Sequence, residues 1–322
     1  MKSVSILVPE TAVIEAIADP HYMFAAVNQF LLSAGKAPLF HVQLVGEKKE
    51  VKLNGSLFSV HMDKLLHEVE ETDLIFIPAI SGDIPTALKL NEKLLPWIVA
   101  QHNRGAEVAS LCIGAFLLAS TGLLSGKKCS THWNAANEFR AMFPDVELVD
   151  GSIITEEQGI YSSGGANSYW SLLLYLVEKF TDRDTAILAS KFFAVDIDRT
   201  SQAAFMMFKG QKEHGDVEIV KAQEYIEENY QEKITVDELA DTFAIGRRSF
   251  ERRFKKATNN TIVEYIQRVK IEAAKRNFET SRKNINEIMY DVGYTDTKAF
   301  RTVFKKITGL TPIEYRNKYR SN

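Results

Sequence analysis

Residues 285–316 of this chain read INEIMYDVGYTDTKAFRTVFKKITGLTPIEYR, and they predict two short helices joined by a tight turn. Apolar residues recur at i, i+3, i+4 and i+7 on the inward face of the first helix: Ile285, Ile288, Met289 and Val292. Gly293 is expected to adopt the positive φ that ends such a helix. Thr295 or Asp296 can then cap a second helix. Its inward face is Phe300, Val303, Phe304 and Ile307.

The outward face of this second helix is basic and hydroxylated. It carries Thr297, Lys298, Arg301, Thr302, Lys305 and Lys306. Helix-turn-helix proteins use such an arrangement, in which the basic second helix enters a DNA major groove. Taken alone, the stretch is equally compatible with two ordinary amphipathic helices whose charges are solvated.

An earlier stretch repeats this helix-turn-helix pattern. Its Phe250 is equivalent to Phe300, which lies 50 residues later. Its first helix has an apolar face formed by Val236, Leu239, Ala240 and Phe243, with Gly246 in the turn. Its second helix turns Phe250 and Phe254 inward, and its largely outward residues are Arg247, Arg248, Arg252, Arg253, Lys255 and Lys256. Between the copies, residues 262–278 predict a helix of about 25–30 Å, close to the ~34 Å of one DNA turn. The repetition favours a DNA-binding helix-turn-helix over two ordinary amphipathic helices.

Residues 217–320 resemble the DNA-binding domain of the AraC/XylS family of transcription regulators. The matching residues are Leu239, Ala240, Arg252, Arg253, Phe254, Tyr265, Arg268, Val292, Gly293, Tyr294, Phe300, Phe304, Lys305, Lys306, Gly309, Thr311, Pro312, Tyr315 and Arg316. Met289, Ala299 and Asn260 depart from the pattern, the last standing where the first unit usually has glycine. The resemblance implies an all-α domain with two helix-turn-helix units that binds double-stranded promoter DNA, with RNA polymerase as a partner if the protein is an activator.

We expect the outward side chains of the two basic helices to divide between bases and phosphates. The residues expected at base edges are Arg247, Arg248, Arg252, Thr297, Lys298 and Arg301. The residues expected at phosphates are Lys255, Lys256, Lys305 and Lys306.

The charge of the 322-residue chain is uneven, and its length suits two domains. Residues 244–322 hold 19 lysines and arginines against 8 acidic residues, whereas the preceding residues hold 20 against 34. A basic end on an acidic body suggests a nucleic-acid contact confined to the second domain. Neither a secretory signal nor a membrane span is apparent, and Cys112 and Cys129 form neither a disulfide framework nor a metal site. We therefore predict a cytoplasmic protein with no membrane partner, metal or cofactor.

The first part of the chain alternates between strands and helices, which predicts an α/β domain with a parallel sheet covered on both faces. The predicted strands are Val4–Pro9, Val42–Val45, Leu74–Pro78 and Val108–Leu111, and the predicted helices are Tyr22–Ser33, Leu94–Arg104, Ala115–Thr121, Ala135–Met142, Trp170–Phe180 and Asp182–Val195. Residues 153–162 predict a hairpin. We place the first domain at 1–215, with a connector from about 196, and the second at 216–322.

One run in this domain has the pattern of a nucleophile elbow. An apolar strand ends at Cys112, and a small-residue turn with Gly114 leads into a helix whose N-terminus can stabilise a thiolate. A buried structural cysteine in a tight strand-to-helix turn is the alternative interpretation.

Residues 1 to about 195 resemble the PfpI-type, class I glutamine-amidotransferase-like superfamily, and most closely the GlxA-type regulators, in which this domain precedes an AraC-type reader. The matching residues are 110–115, Leu118, Ala119, 122–124, Thr131, His132, Trp133, Gly165 and 172–178. The resemblance implies a flavodoxin-like domain that dimerises and binds a small effector, often an amino-acid-derived or quaternary-amine compound. It places Glu15, Cys112 and His132 at the pocket, where Trp133, Tyr169 and Trp170 can supply aromatic walls for a cation.

Three functions stay open. The chain can be a regulator whose first domain senses a ligand, a constitutive DNA-binding protein whose first domain only dimerises, or a cysteine hydrolase or amidotransferase that also binds DNA. Against the enzyme, Ile113 follows the cysteine where peptidase-like members have histidine, and His132 is followed by Trp133 and Asn134, so no His-x-Glu pair is formed. We predict a regulator without catalytic residues.

Overall fold

The structure, a computed structural model, describes residues 1–197, 201–208, 210–212 and 214–319. The chain divides into two compact units, Met1–Gln202 and Ala203–Asn322. This division precedes the predicted boundary near residue 215, because residues 206–208 are bonded to the second unit: the Phe208 amide donates to Glu272, and Lys275 donates to the Met206 carbonyl. Residues 198–200, 209 and 213 of the predicted connector, and residues 320–322 of the predicted second domain, lie outside the described residues.

The first unit has the predicted α/β architecture. Its strands are β1 (Lys2–Leu7), β2 (Phe40–Gly46), β3 (Glu50–Leu53), β4 (Phe58–His61), β5 (Lys64–Leu65), β6 (Leu74–Ile77), β7 (Glu107–Leu111), β8 (Lys128–Cys129), β9 (Glu147–Leu148), β10 (Ile154–Glu157) and β11 (Ile160–Ser163). Its helices are α1 (Glu15–Ser33), α2 (Ile84–Leu90), α3 (Leu94–Asn103), α4 (Ala115–Ser120), α5 (Ala136–Met142), α6 (Tyr169–Phe180) and α7 (Arg183–Phe193).

A seven-stranded sheet with the order β10-β11-β7-β6-β1-β2-β5 forms the middle of this unit. Neighbouring strands are parallel except β10 and β11, which form the predicted hairpin. Successive side chains of a strand point to opposite faces. Leu74 and Phe76 of β6 accordingly pack in the core under α1, α6 and α7, whereas Ile75 and Ile77 pack in the core under α2 to α5. The sheet is therefore covered on both faces.

The first helix differs from the prediction. It begins at Glu15, one to two turns before the predicted start at Tyr22, and continues through Pro20. Proline removes one backbone donor near the start of this 19-residue helix. Burial of Ala16, Ile17 and Pro20 against the sheet outweighs that loss. The β3–β4 hairpin, β5, α2, β8 and β9 were not predicted.

The second unit is all-α, as predicted. Its helices are α8 (Val217–Glu228), α9 (Val236–Thr242), α10 (Arg247–Thr258), α11 (Ile262–Thr280), α12 (Ile285–Asp291), α13 (Thr297–Thr308) and α14 (Pro312–Tyr319). Thr235, Thr261 and Asn284 begin α9, α11 and α12 with reciprocal capping boxes, which fixes these helix starts. Across the described residues, no helix combines the length and apolarity needed to cross a membrane.

The two helix-turn-helix units turn their chain differently. Gly293 has the predicted positive φ of 75°, and Asp296 caps α13 by accepting a 2.6 Å bond from the Ala299 amide. In the first helix-turn-helix unit, Gly246 caps α10 with a negative φ, and the left-handed turn residue is Ala244 at φ 51°. The helix-end residue that corresponds to Gly309 is Asn259 at φ 56°, so the alignment of Asn260 with that glycine was wrong by one residue. Asparagine adopts this conformation more readily than most residues.

Candidate DNA-reading surface and effector pocket

The helices α10 and α13 carry the residues predicted to contact DNA. Phe250 and Phe254 of α10, and Phe300 and Phe304 of α13, are fully buried and fix each helix by its inward face. The opposite faces leave nine predicted residues exposed: Arg247, Arg248, Arg252, Lys255, Lys256, Lys298, Arg301, Lys305 and Lys306. Thr297 is half-buried at the start of α13. Each helix therefore presents a basic surface whose orientation is set by a phenylalanine pair.

Two arginines of α10 are held by acidic side chains. Arg247 donates to both carboxylate oxygens of Asp237 at 2.9 Å and lies 3.4 Å from Glu251. The three side chains are largely exposed, so DNA would have to compete only with a weak pair. Arg253 differs, because it is half-buried and makes a bidentate pair with Asp216, the cap of α8, at 2.8 and 2.6 Å. The prediction that it faces outward was wrong. Its position three residues after Phe250 is the signal in the sequence that places it on the inward face.

Cys112 forms an elbow between β7 and α4. It has a φ of 55°, which is uncommon for a residue with a side chain, and a tight 3₁₀ turn of residues 112–114 leads into the helix. A Cβ on Gly114 would lie 2.5 Å from the carbonyl oxygen of Pro78 and 2.6 Å from that of Ile77. Glycine is therefore required for the turn to approach the end of β6 this closely. The geometry is that of a nucleophile elbow at the carboxyl edge of a parallel sheet.

The elbow does not bring Cys112 and His132 into a bonded pair. Burial raises the pKa of the Cys112 thiol to about 12, partly offset by a bond from the Ile113 amide. His132 Nδ1 accepts from the Asn134 amide at 3.1 Å, and burial lowers the pKa of this histidine. The Thr131 hydroxyl donates to the Cys112 carbonyl at 3.1 Å, so the two segments are neighbours. Among the described residues no hydrogen bond joins the thiol to His132.

The remaining predicted pocket residues lie around this elbow or on α1. The Trp133 ring is half-buried, with its centre 5.4 Å from that of His132. Glu15 is exposed at the start of α1. One turn later Asp19 accepts a 2.6 Å bond from the Tyr169 hydroxyl and a further bond from Trp170.

Asp19 was missed by the sequence analysis, although it lies four residues after Glu15 and hence on the same helix face. Burial, followed by the bond and charge of Asp19, raises the pKa of Tyr169, and the charges of Glu15 and Cys112 add to this effect. Burial also raises the pKa of Asp19 itself, against the bonds from Tyr169 and Trp170. The Tyr169 hydroxyl therefore lies within electrostatic reach of both carboxylates and the elbow thiol.

Both cysteines of the native protein are expected to resist alkylation by iodoacetamide at about pH 8. Burial raises the pKa of Cys112 and of Cys129 to about 12, so both thiols stay protonated at that pH. Mass spectrometry of the native protein, with a urea-unfolded sample as the control that alkylates fully, measures this. Rapid modification of native Cys112 would instead indicate an activated nucleophile.

Comparison with known proteins finds a family match in each of the two units. Residues 23–179 match the DJ-1/PfpI family, and residues 239–318 match a helix-turn-helix domain family. The chain is similar to the HTH-type transcriptional regulator ArgR of Pseudomonas aeruginosa, with 25% identity over 217 residues that cover 67% of this chain and 66% of ArgR. It spans just under two thirds of that relative.

A shorter match has higher identity, and the chain also has a solved structural neighbour. The bifunctional transcriptional activator/DNA repair enzyme AdaA of Bacillus subtilis is 42% identical over 93 residues, or 29% of this chain and 44% of AdaA. The crystal structure of a ThiJ/PfpI family protein from Pseudomonas syringae shares the fold, with a TM-score of 0.52 and 17% identity over 76% of this chain and 90% of that one. This chain therefore joins a region that matches the DJ-1/PfpI family to a region that matches a helix-turn-helix domain family.

Proposed function

We propose that the protein is a sequence-specific transcriptional regulator of the cytoplasm, which binds promoter DNA through α10 and α13 and a small metabolite through its first domain. The observation that carries DNA binding is the pair of exposed basic helices on one connecting helix, α11. Its 19 residues span about 28 Å, close to one DNA turn. RNA polymerase is the further partner expected of an activator.

The experiment is selection of duplexes from a random library by the full chain, followed by titration of the selected duplex at several salt concentrations. If Lys255, Lys256, Lys305 and Lys306 neutralise four phosphates, log affinity should fall with log salt with a slope of about −3.6. Further phosphate contacts would steepen it. Failure to enrich any sequence would contradict this function.

The pocket chemistry supports an amino-acid-derived or quaternary-amine effector. Asp19 and the neighbouring Trp170 are both half-buried, so they offer a carboxylate and an aromatic face to a cation. A thermal-shift screen of such compounds identifies the effector, since a ligand that binds the native state raises its apparent stability. Asp19→Asn is the matched variant in which a cation should lose most of its effect.

We also infer that the first domain does not turn over a substrate and that it dimerises. The protonated Cys112 thiol, without a hydrogen bond to His132 among the described residues, lacks an activating base. Dimerisation is supported by an exposed apolar surface on α1 and α7, formed by Tyr22, Leu188 and Phe192. Light scattering of the full chain and of Phe192→Glu tests this surface.

A further inference from the structure

The middle of α11 contains a buried lysine whose charge is not paired with a carboxylate. Lys270 is 7% exposed, and no acidic side chain lies within ion-pair distance of it in the part of the chain that the structure describes. Its Nζ donates to the carbonyl oxygens of Glu232 and Gly293, both at 3.2 Å, and lies 5.7 Å from the centre of the Tyr294 ring. Burying an ammonium group is costly, so these contacts need a reason beyond helix packing.

The two carbonyls that Lys270 binds belong to different helix-turn-helix units. Glu232 lies in the loop before α9, the first helix of the first unit. Gly293 lies in the turn of the second unit, between α12 and α13. One ammonium group thus bonds the entrance of one unit to the turn of the other.

The loop and the turn are also packed tightly against each other at this point. A Cβ built on Gly293 would lie 2.1 Å from the carbonyl oxygen of Gln231 and 2.6 Å from Lys270 Nζ. A glycine with φ of 75° is therefore required for the turn to approach the loop and the lysine. We call Lys270, Gly293 and residues 231–232 the junction.

The junction lies where the two apolar cores of the helical domain meet. The residue before Lys270, Val269, packs in the core of the first helix-turn-helix unit, with α8, α9 and α10. The residue after it, Ile271, packs in the core of the second helix-turn-helix unit, with α12, α13 and α14. Each helix-turn-helix unit therefore has its own apolar core. Apolar packing alone specifies the relative orientation of the two helix-turn-helix units less sharply than directional hydrogen bonds do. The bonds at the junction therefore help to fix that orientation.

We propose that Lys270 is a positioning residue that sets the spacing at which the protein reads DNA. By bonding the turn before α13 to the loop before α9, it fixes the rotation of α13 relative to α10 about α11. The inference rests on the DNA-binding function proposed above, and Lys270 itself makes no contact with DNA.

The experiment compares the duplex selected by the full wild-type chain with duplexes that carry one or two extra base pairs between the two recognised segments. One base pair shifts and rotates the second segment by about 3.4 Å and 34°. The wild type should lose about 10- to 100-fold in affinity on insertion, as for a mismatch in a specific site. Lys270→Met should bind the selected duplex about tenfold more weakly but lose less than about threefold on insertion, because its two units can reorient.

Lys221→Met is the control, since it removes an exposed lysine of α8 that pairs with Glu218. We define the insertion ratio as the affinity for the selected duplex divided by the affinity for the lengthened duplex. The control should keep the wild-type insertion ratio. A mutation that only weakens folding would lower affinity for all duplexes equally and leave that ratio unchanged. If Lys270→Met does not fold, Lys270→Gln is measured against the same criterion.

An unchanged insertion ratio in a folded Lys270 variant would overturn the inference. A wild-type loss below about threefold on insertion would overturn it without any variant, because the spacing would then not be fixed. Either result leaves DNA binding itself intact. If the wild type selects no sequence, the proposed function fails, and this inference fails with it.

Discussion

Replacing Gly293 by alanine is expected to destabilise the second unit by about 2–5 kcal/mol, the sum of two penalties. The left-handed backbone costs an alanine about 1–2 kcal/mol, and a Cβ forced against a packed backbone costs about 1–3 kcal/mol or more. The new Cβ would lie 2.1 Å from the Gln231 carbonyl oxygen, and neither it nor the carbonyl can rotate away. Hydrogen exchange of second-unit amides in the full chain measures this loss without assuming that both units unfold together.

Gly309→Ala is the matched control for this prediction. Gly309 ends α13 with a φ of 74°, almost the same as that of Gly293. The nearest atom to a Cβ there is the Ala203 Cβ at 3.9 Å, an ordinary contact. Gly309→Ala should therefore cost only the backbone penalty of about 1–2 kcal/mol. Equal losses in the two variants would show that the close approach at Gly293 contributes nothing.

The local features of the second unit were predictable because they depend on neighbours in sequence. The 3.6-residue periodicity of Phe300 and Phe304 identifies the inward face of α13, and glycine at position 293 signals the left-handed turn. Gly246 of the first helix-turn-helix unit also lies in a turn, as predicted, but its φ is negative and the left-handed residue of that turn is Ala244. A glycine can adopt a positive φ but does not require one, so its presence does not fix the turn residue.

Features that depend on distant contacts were not predictable. Lys270 reads as one more polar residue of an amphipathic helix, yet its partner Gly293 lies 23 residues away and is bonded to it only in the folded chain. Asp19 was missed because the helix was predicted to begin at Tyr22, whereas burial of α1 against the sheet carries the helix back through Pro20 to Glu15. In the first unit, the sequence located the elbow. The raised thiol pKa depends on burial by surrounding elements, which no local pattern reports.

The second large loss is expected when arginines are removed from the surface of α10 and α13 that is proposed to contact DNA. Arg248→Ala and Arg301→Ala should each weaken binding to the selected duplex by about 1–3 kcal/mol if each guanidinium contacts a guanine edge through two bonds. The side chains lie on different helices and share no partner, so the double variant should lose about 2–6 kcal/mol. Among the described residues neither arginine has an intramolecular hydrogen bond or ion pair, which leaves both available to DNA. Fluorescence anisotropy at fixed salt measures the losses.

Two variants separate base reading from loss of charge. Lys221→Ala removes a positive charge of the same unit away from α10 and α13, and should leave affinity nearly unchanged. Arg247→Ala removes the neighbouring arginine, but that guanidinium is already bonded to Asp237, so its loss should be smaller than that of Arg248. Base reading also predicts that Arg248→Ala and Arg301→Ala relax sequence preference at one segment each, whereas a phosphate contact would weaken all sequences alike. Unchanged affinity in both single variants would remove α10 and α13 from the reading surface.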